Sequence, residues 1–252
     1  MTMHTSDEPI HRLTVAVSDG SLRIMPATDG TGSVTVEGKR ADEAEVDITA
    51  GVVTVRQPEG NRWFGSSGLR ITVTAPPGID VDVRSASLDV DADTILGDVT
   101  VETASGDIRL GTVRSLRAKA ASGDIQVDAA GDLRAGLASG DVRAGSIERS
   151  LEVSAASGDV RADSVGGGIE VRTASGDIHI GHWTGTDLAV KTVSGDVAVT
   201  VPPGTRAQLD LRTLSGTVRM PDRPTEDVPE EQRVVRRMKF TSVSGDFRLG
   251  VA

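Results

Sequence analysis

The chain has 252 residues with 27 basic and 37 acidic side chains, a net charge of −10, which favours solubility and disfavours nonspecific contact with nucleic acid or anionic membranes. It contains no cysteine, so disulfides, thiolate metal sites and cysteine nucleophiles are excluded. Two Trp, three Phe and no Tyr leave Val, Ile, Leu and Ala to fill the interior, which suits a thin core between closely spaced sheets.

Residues 1–8 read as a flexible tail. The opening MTMHTSDEPIHRL shows neither the basic nor the apolar region of a secretory leader. No stretch reaches the ~20 apolar residues that span a bilayer. The expectation is a soluble, cytoplasmic protein with no membrane span, surface exposure being left open. Residues 9–78 read as an N-terminal β-rich cap of irregular coils. Within them LTVAVSDGSLRI (13–24) alternates apolar and polar residues, and Trp63 and Phe64 form an isolated aromatic spot. Pro76-Pro77-Gly78 is a turn leading into a strand.

From residue 79 to 252 one pattern recurs. Ser-Gly-Asp stands at Ser105-Gly106-Asp107, Ser122-Gly123-Asp124, Ser139-Gly140-Asp141, Ser157-Gly158-Asp159, Ser175-Gly176-Asp177, Ser194-Gly195-Asp196 and Ser244-Gly245-Asp246. Ser215-Gly216-Thr217 is a variant, and with it the serines are spaced 17, 17, 18, 18, 19, 21 and 29 residues apart. A near-constant period marks stacked structural repeats. Aligned on the serine, positions four before (Val101, Ala118, Val153, Val171, Val190) and three after (Ile108, Ile125, Val160, Ile178, Val197) are apolar columns. Apolar residues alternate on both sides, as half-buried strands require. The inward phase shifts by one residue at the tripeptide, so a corner sits there. Glycine permits unusual backbone angles, and short Ser and Asp side chains bond local amides.

Each repeat is therefore strand, corner, strand and return turn. Stacking them predicts an all-β fold, a β-solenoid of ~17–18-residue coils rising ~4.8 Å each. A sandwich of antiparallel hairpins explains the alternation but not the same tripeptide at every corner. VDVRSASLDVDA around Ser87 keeps the register. Phe240 and Phe247 read as a bulky plug over the last coil, and residues 221–236 as a proline-rich acidic surface loop.

The combination of PPG turns, alternating strands and repeated TASGDI resembles a bacterial β-strand-repeat family of unknown function whose members are named as putative adhesins. The likeness covers about residues 10–252 and is strongest over 71–220. It implies a β-helix-like fold, no established catalytic residues, and surface exposure.

Arginine often stands two residues after the aspartate (Arg109, Arg143, Arg161, Arg219, Arg248), on the same strand face. This predicts a charge-compensated ladder, with an anion-binding stripe as the functional alternative. Calcium solenoids use a different repeat, GGxGxDxUx. A hydrolase reading would recruit Ser and Asp with His179 or His182, but seven equal copies describe a construction rule rather than one catalytic constellation. His179 and His182 stand three apart in HIGHW without the helix a metal pair would use. Hence no catalytic residue, metal ligand or cofactor is expected.

The sequence thus reads as a noncatalytic scaffold or adhesin-like interaction module, with the seven tripeptides as structural corners. Arg109, Arg143, Arg161 and Trp183 form its candidate interaction surface. A protein partner or self-association is expected, with a polymer or glycan as a further option. The rival reading is a polysaccharide-binding or polysaccharide-cleaving β-helix protein.

Overall fold

A computed structural model describes residues 1–6, 8–27, 32–57, 68–221 and 234–251. The fold is an all-β solenoid in which successive coils pair in parallel. It divides into two compact units, Met1–Asp128 and Ala129–Ala252. Among the described residues no helix is long and apolar enough to cross a membrane.

In the first unit, strand Arg12–Pro26 lies parallel to Ile79–Ala92 along nearly its whole length, from Arg12 opposite Asp80 to Ile24 opposite Ala92. Leu96–Ser105 stacks on Ile79–Ala92, and Ile108–Ser122 stacks on Leu96–Ser105. The other edge of Arg12–Pro26 pairs with Val52–Arg56 and Leu69–Ala75. The coil next to Ile79–Ala92 in space is therefore the looser copy at 13–24, not the residues just before it in sequence. Two antiparallel additions finish this end: Gly32–Glu37 on Leu69–Ala75, and Glu45–Thr49 on Val52–Arg56. They make the pairing at this edge mixed, which blunts an exposed sheet edge.

The expected tail is different. Thr2–Ser6 forms a strand antiparallel to Gly32–Glu37, and Ser6 is buried. An unpaired edge at Gly32–Glu37 offers a row of backbone donors and acceptors, and five residues of extended chain satisfy it. Trp63 and Phe64 lie outside the described residues.

In the second unit, Val142–Ser157 pairs in parallel with Val160–Val165 and Gly168–Ser175. These pair in turn with Ile178–Trp183 and Asp187–Lys191. After that, space and sequence part company. Val234–Thr241 lies between Asp187–Lys191 and Thr205–Arg212, parallel to both. Phe247–Val251 lies between Val197–Val201 and Val218–Arg219. The last coil in sequence is the penultimate coil in space. Phe240 and Phe247 are consequently not a plug over the final coil. They are fully buried inside it, with ring centroids 5.4 Å apart. Residues 234–236, assigned above to the surface loop, open the strand Val234–Thr241. Loop residues 222–233 lie outside the described residues.

The return turn is also less of a break than the repeat pattern implies. Ile108–Ser122 is one continuous strand running from corner to corner, because parallel pairing persists through the bend, with Leu96 opposite Val113 and Leu116 opposite Val99. The inward phase shifts at each corner: Val99, Val101 and Thr103 face the core before Gly106, and Ile108 and Leu110 after it.

Candidate interaction surface

The corners decide what the surface can offer. Within each unit the tripeptides stack directly. Ser87, Ser105 and Ser122 are register partners in the first unit. In the second, Ser157, Ser175, Ser194, Ser244 and Ser215 follow one another in that spatial order. Gly140 joins the stack by donating its N–H to Ser157 O at 3.3 Å.

Glycine is required here for two reasons at once. Gly158 has φ +129°, and a Cβ built on it would lie 2.0 Å from Gly140 O. At every other described corner glycine after Gly140 the same clash recurs near 2.1 Å, so neither the angle nor the space admits a side chain.

The aspartates carry the stack. Oδ1 of Asp141 accepts the N–H of Asp159 at 2.9 Å, and Oδ1 of Asp159 that of Asp177 at 2.8 Å. Asp177 accepts from Asp196 at 2.8 Å, Asp196 from Asp246 at 2.9 Å, and Asp246 from Thr217 at 2.7 Å. In the first unit Asp89 accepts from Asp107 at 3.0 Å and Asp107 from Asp124 at 3.1 Å. The Asp124 N–H is the main reason the Asp107 carboxyl lies below the usual carboxylate range, with Arg109 assisting and burial opposing. Where the column two before the serine is threonine, its hydroxyl donates to the corner carbonyl: Thr103 to Ser105 O at 2.6 Å, and Thr173 to Ser175 O at 3.1 Å.

The arginine column is not uniform. Arg109 reaches back to Asp107 Oδ2 at 2.8 Å, and Arg143 to Asp141 Oδ2 at 2.7 Å. Pairs this exposed contribute little each, ~0–1 kcal/mol. Arg161 differs: among the described residues it has no ion-pair partner, and neither do Arg219 and Arg248. The spatial order of the column is Arg143, Arg161, His179, Ala198, Arg248, Arg219.

Ala198 is the short member of that column, and the surface dips over it. The hollow, about 240 Å³, is lined by Arg161, His179, Arg219 and Arg248 together with Asp177, Asp196 and Asp246. The same coil has a second short outward residue, Ala189, between Glu170 and Lys239. An open hollow of about 610 Å³ lies over it, lined by Glu152, Glu170, Asp187, Asp210, Arg237 and Lys239 among others.

Trp183 does not belong to any surface. It is wholly buried, its indole N–H donates to Gly167 O at 2.8 Å, and it stacks on Val165 in register. Its column, eight residues after the serine, runs Val113, Ala130, Ile147, Val165, Trp183, all buried. That apolar column was the available signal. Arg236 was also overlooked: it is buried, donates to Thr205 Oγ1 at 3.0 Å and Thr184 O at 3.1 Å, and leaves Nε without a partner. Burial lowers its pKa. Among the described residues no group of three His, Asp or Glu side chains is placed to hold a metal ion.

The Toastrack DUF4097 family model matches residues 10–249. Among solved structures, the chain is similar to a putative adhesin from Bacteroides fragilis, at 12% identity and TM-score 0.55, over 98% of this chain and 96% of that one. That likeness is one of fold. A putative adhesin from Parabacteroides merdae matches at 11% identity and TM-score 0.37, over 97% and 94% of the two chains. A putative cell adhesion protein from Clostridium sporogenes matches at 11% identity and TM-score 0.27, over 100% and 99%. No curated protein matches.

Proposed function

We propose that this chain, which belongs to the Toastrack DUF4097 family, is a noncatalytic, adhesin-like interaction module that engages its partner through the face around Ala198. One observation carries this reading. Among the described residues Arg161, Arg219 and Arg248 surround one hollow without ion-pair partners, whereas Arg109 and Arg143, at equivalent positions, are held by their own corner aspartates. Guanidinium groups with no carboxylate of their own coil in ion-pair range can reach anionic groups of a partner, bidentately where geometry permits.

The corner chemistry argues against catalysis. The serines and aspartates recur in equal copies, and each ladder aspartate spends one oxygen on a neighbouring backbone amide. Asp177, Asp196 and Asp246 also line the hollow, so it suits an isolated carboxylate, sulfate or phosphate group on a larger partner. A dense polyanion would meet these carboxylates and the overall charge of −10.

The test combines affinity capture with a glycan array, comparing the native chain with R161A/R219A/R248A. A partner or glycan retained by the native chain and lost by the variant, at equal thermal midpoint, supports the reading. Equal retention by both would overturn it, as would polysaccharide cleavage by the native chain.

A further inference from the structure

The hollow over Ala198 is made by one short side chain. In spatial order its column reads Arg161, His179, Ala198, Arg248, Arg219, so a methyl stands where each neighbour carries a long or ring side chain. His179 and Arg248 belong to the coils on either side of Ala198, which sets their backbones about 10 Å apart. Arg161 lies one coil beyond His179, and Arg219 one coil beyond Arg248. All four line the hollow, so hydrogen-bond donors reach it from two opposite walls.

Arg109 and Arg143 turn back to their own corner aspartates at 2.8 and 2.7 Å. Among the described residues Arg161 and Arg248 make no such pair, although Asp159 and Asp246 stand at the same spacing in their coils. The aspartates on the rim are fixed along the corner instead. Oδ1 of Asp177 accepts the N–H of Asp196 at 2.8 Å, and Oδ1 of Asp196 that of Asp246 at 2.9 Å.

Resting on the Ala198 face as the interaction surface proposed above, we infer that the hollow takes one tetrahedral oxyanion, a phosphate or sulfate ester group of the partner, bridged by His179 and Arg161 on one wall and Arg248 on the other. A carboxylate has two oxygens in one plane, and a single guanidinium fork satisfies both. A tetrahedral ester directs its terminal oxygens to several sides at once, as donors on opposite walls require. His179 makes the binding depend on pH, because imidazole changes charge between pH 5 and 8. Facing it are Arg161 on one neighbouring strand, Asp177 on its own, and Asp159, Asp163 and Asp196 at the diagonals. Carboxylates and guanidinium groups ordinarily keep their charge across that range, so acid adds positive charge to the hollow through the imidazole and tightens an anion there.

Titrating the full chain with methyl sulfate, methyl phosphate and acetate, each against chloride at matched ionic strength, tests this. Binding is read from the backbone amide NMR shifts of Ile178, His179, Val197 and Ala198. Either ester is expected to saturate these shifts and to bind more tightly than acetate, and the tighter of the two identifies the source. Methyl sulfate, whose own charge is constant, should bind roughly fivefold more tightly near pH 5.5 than near pH 7.5, the scale of one exposed charge pair. His179→Gln should erase that ratio while binding remains. Ala198→Leu keeps all three arginines but fills the hollow, so it should abolish binding at an unchanged thermal midpoint. Acetate binding as tightly as the esters overturns the inference. So does a pH ratio that survives His179→Gln, native-like binding by Ala198→Leu, or the absence of saturable shifts. If partner capture still requires the three arginines, such a failure removes the tetrahedral anion alone; capture indifferent to them removes the face as well.

Discussion

The backbone N–H of Asp177 donates to Oδ1 of Asp159, one coil away, at 2.8 Å. Gly176 N–H in turn donates to Ser194 O at 3.2 Å, and Ile178 N–H to Asp196 O at 2.8 Å. Every amide of the corner is thereby satisfied between coils, and the one that points backward relies on a carboxylate. Removing that carboxylate in Asp159→Ala leaves the Asp177 amide to water. The expected loss is about 0.5–1.5 kcal/mol, read as a drop of a few degrees in thermal midpoint. Asp159→Asn keeps an acceptor oxygen and should lose less. Equal losses would mean the hydrogen bond is not what the aspartate contributes.

Gly158→Ala tests the close approach. The new methyl would lie 2.0 Å from Gly140 O at φ +129°, so clash and strained backbone act together, and a loss of about 3 kcal/mol or more is expected. Gly111→Ala is the control. There the nearest atom is Ala92 O at 3.5 Å, an ordinary contact, and stability should hold or rise slightly. Denaturant midpoints of the two variants should therefore move in clearly different ways.

Acid should loosen the ladder. The Asp107 carboxyl is held below its usual range, first by the Asp124 amide and then by Arg109. Asp132 is lowered too, first by the Ser150 hydroxyl and then by Arg149. A carboxyl whose folded pKa is depressed contributes stability above its unfolded value, ~3.9, and loses it as pH falls through the folded value. Melting midpoints should stay level from neutral pH down to about 4 and fall below that. Asp107→Asn should flatten part of the fall. A native profile unchanged down to pH ~2 would contradict the assignment.

The direction of the ladder predicts where aspartate is dispensable. Asp246 accepts the Thr217 amide at 2.7 Å, while among the described residues no further corner stacks on Thr217. Asp246→Ala should therefore destabilise much as Asp159→Ala does, and Thr217→Asp should leave stability within about 0.5 kcal/mol. A clear gain from Thr217→Asp would indicate an acceptor role at that end.

Much of this architecture is legible because the repeat writes it many times. Val101, Ala118, Val153 and Val171 announce their shared inward face by spacing alone, and the phase shift between Thr103 and Ile108 locates the corner. Trp183 is hard to place from sequence for a related reason. Its column is filled by residues as different as Ala130 and Ile147, and a lone tryptophan among glycines looks like surface. The hollows were hidden altogether. Ala189 and Ala198 are unremarkable as letters, and they become depressions only when longer side chains of adjacent coils rise on both sides.

Local alternation and a fixed period were enough to determine parallel coils, glycine corners and the aspartate column, because these depend on neighbours a constant number of residues away. Only the tertiary structure decided the ends. The chain from 205 to 219 runs past its neighbour's place, and Val234–Thr241 returns to fill the gap. No short-range pattern encodes that choice, since similar columns can pair in either order, and only the observed order shows Phe240 and Phe247 fully buried within the stack.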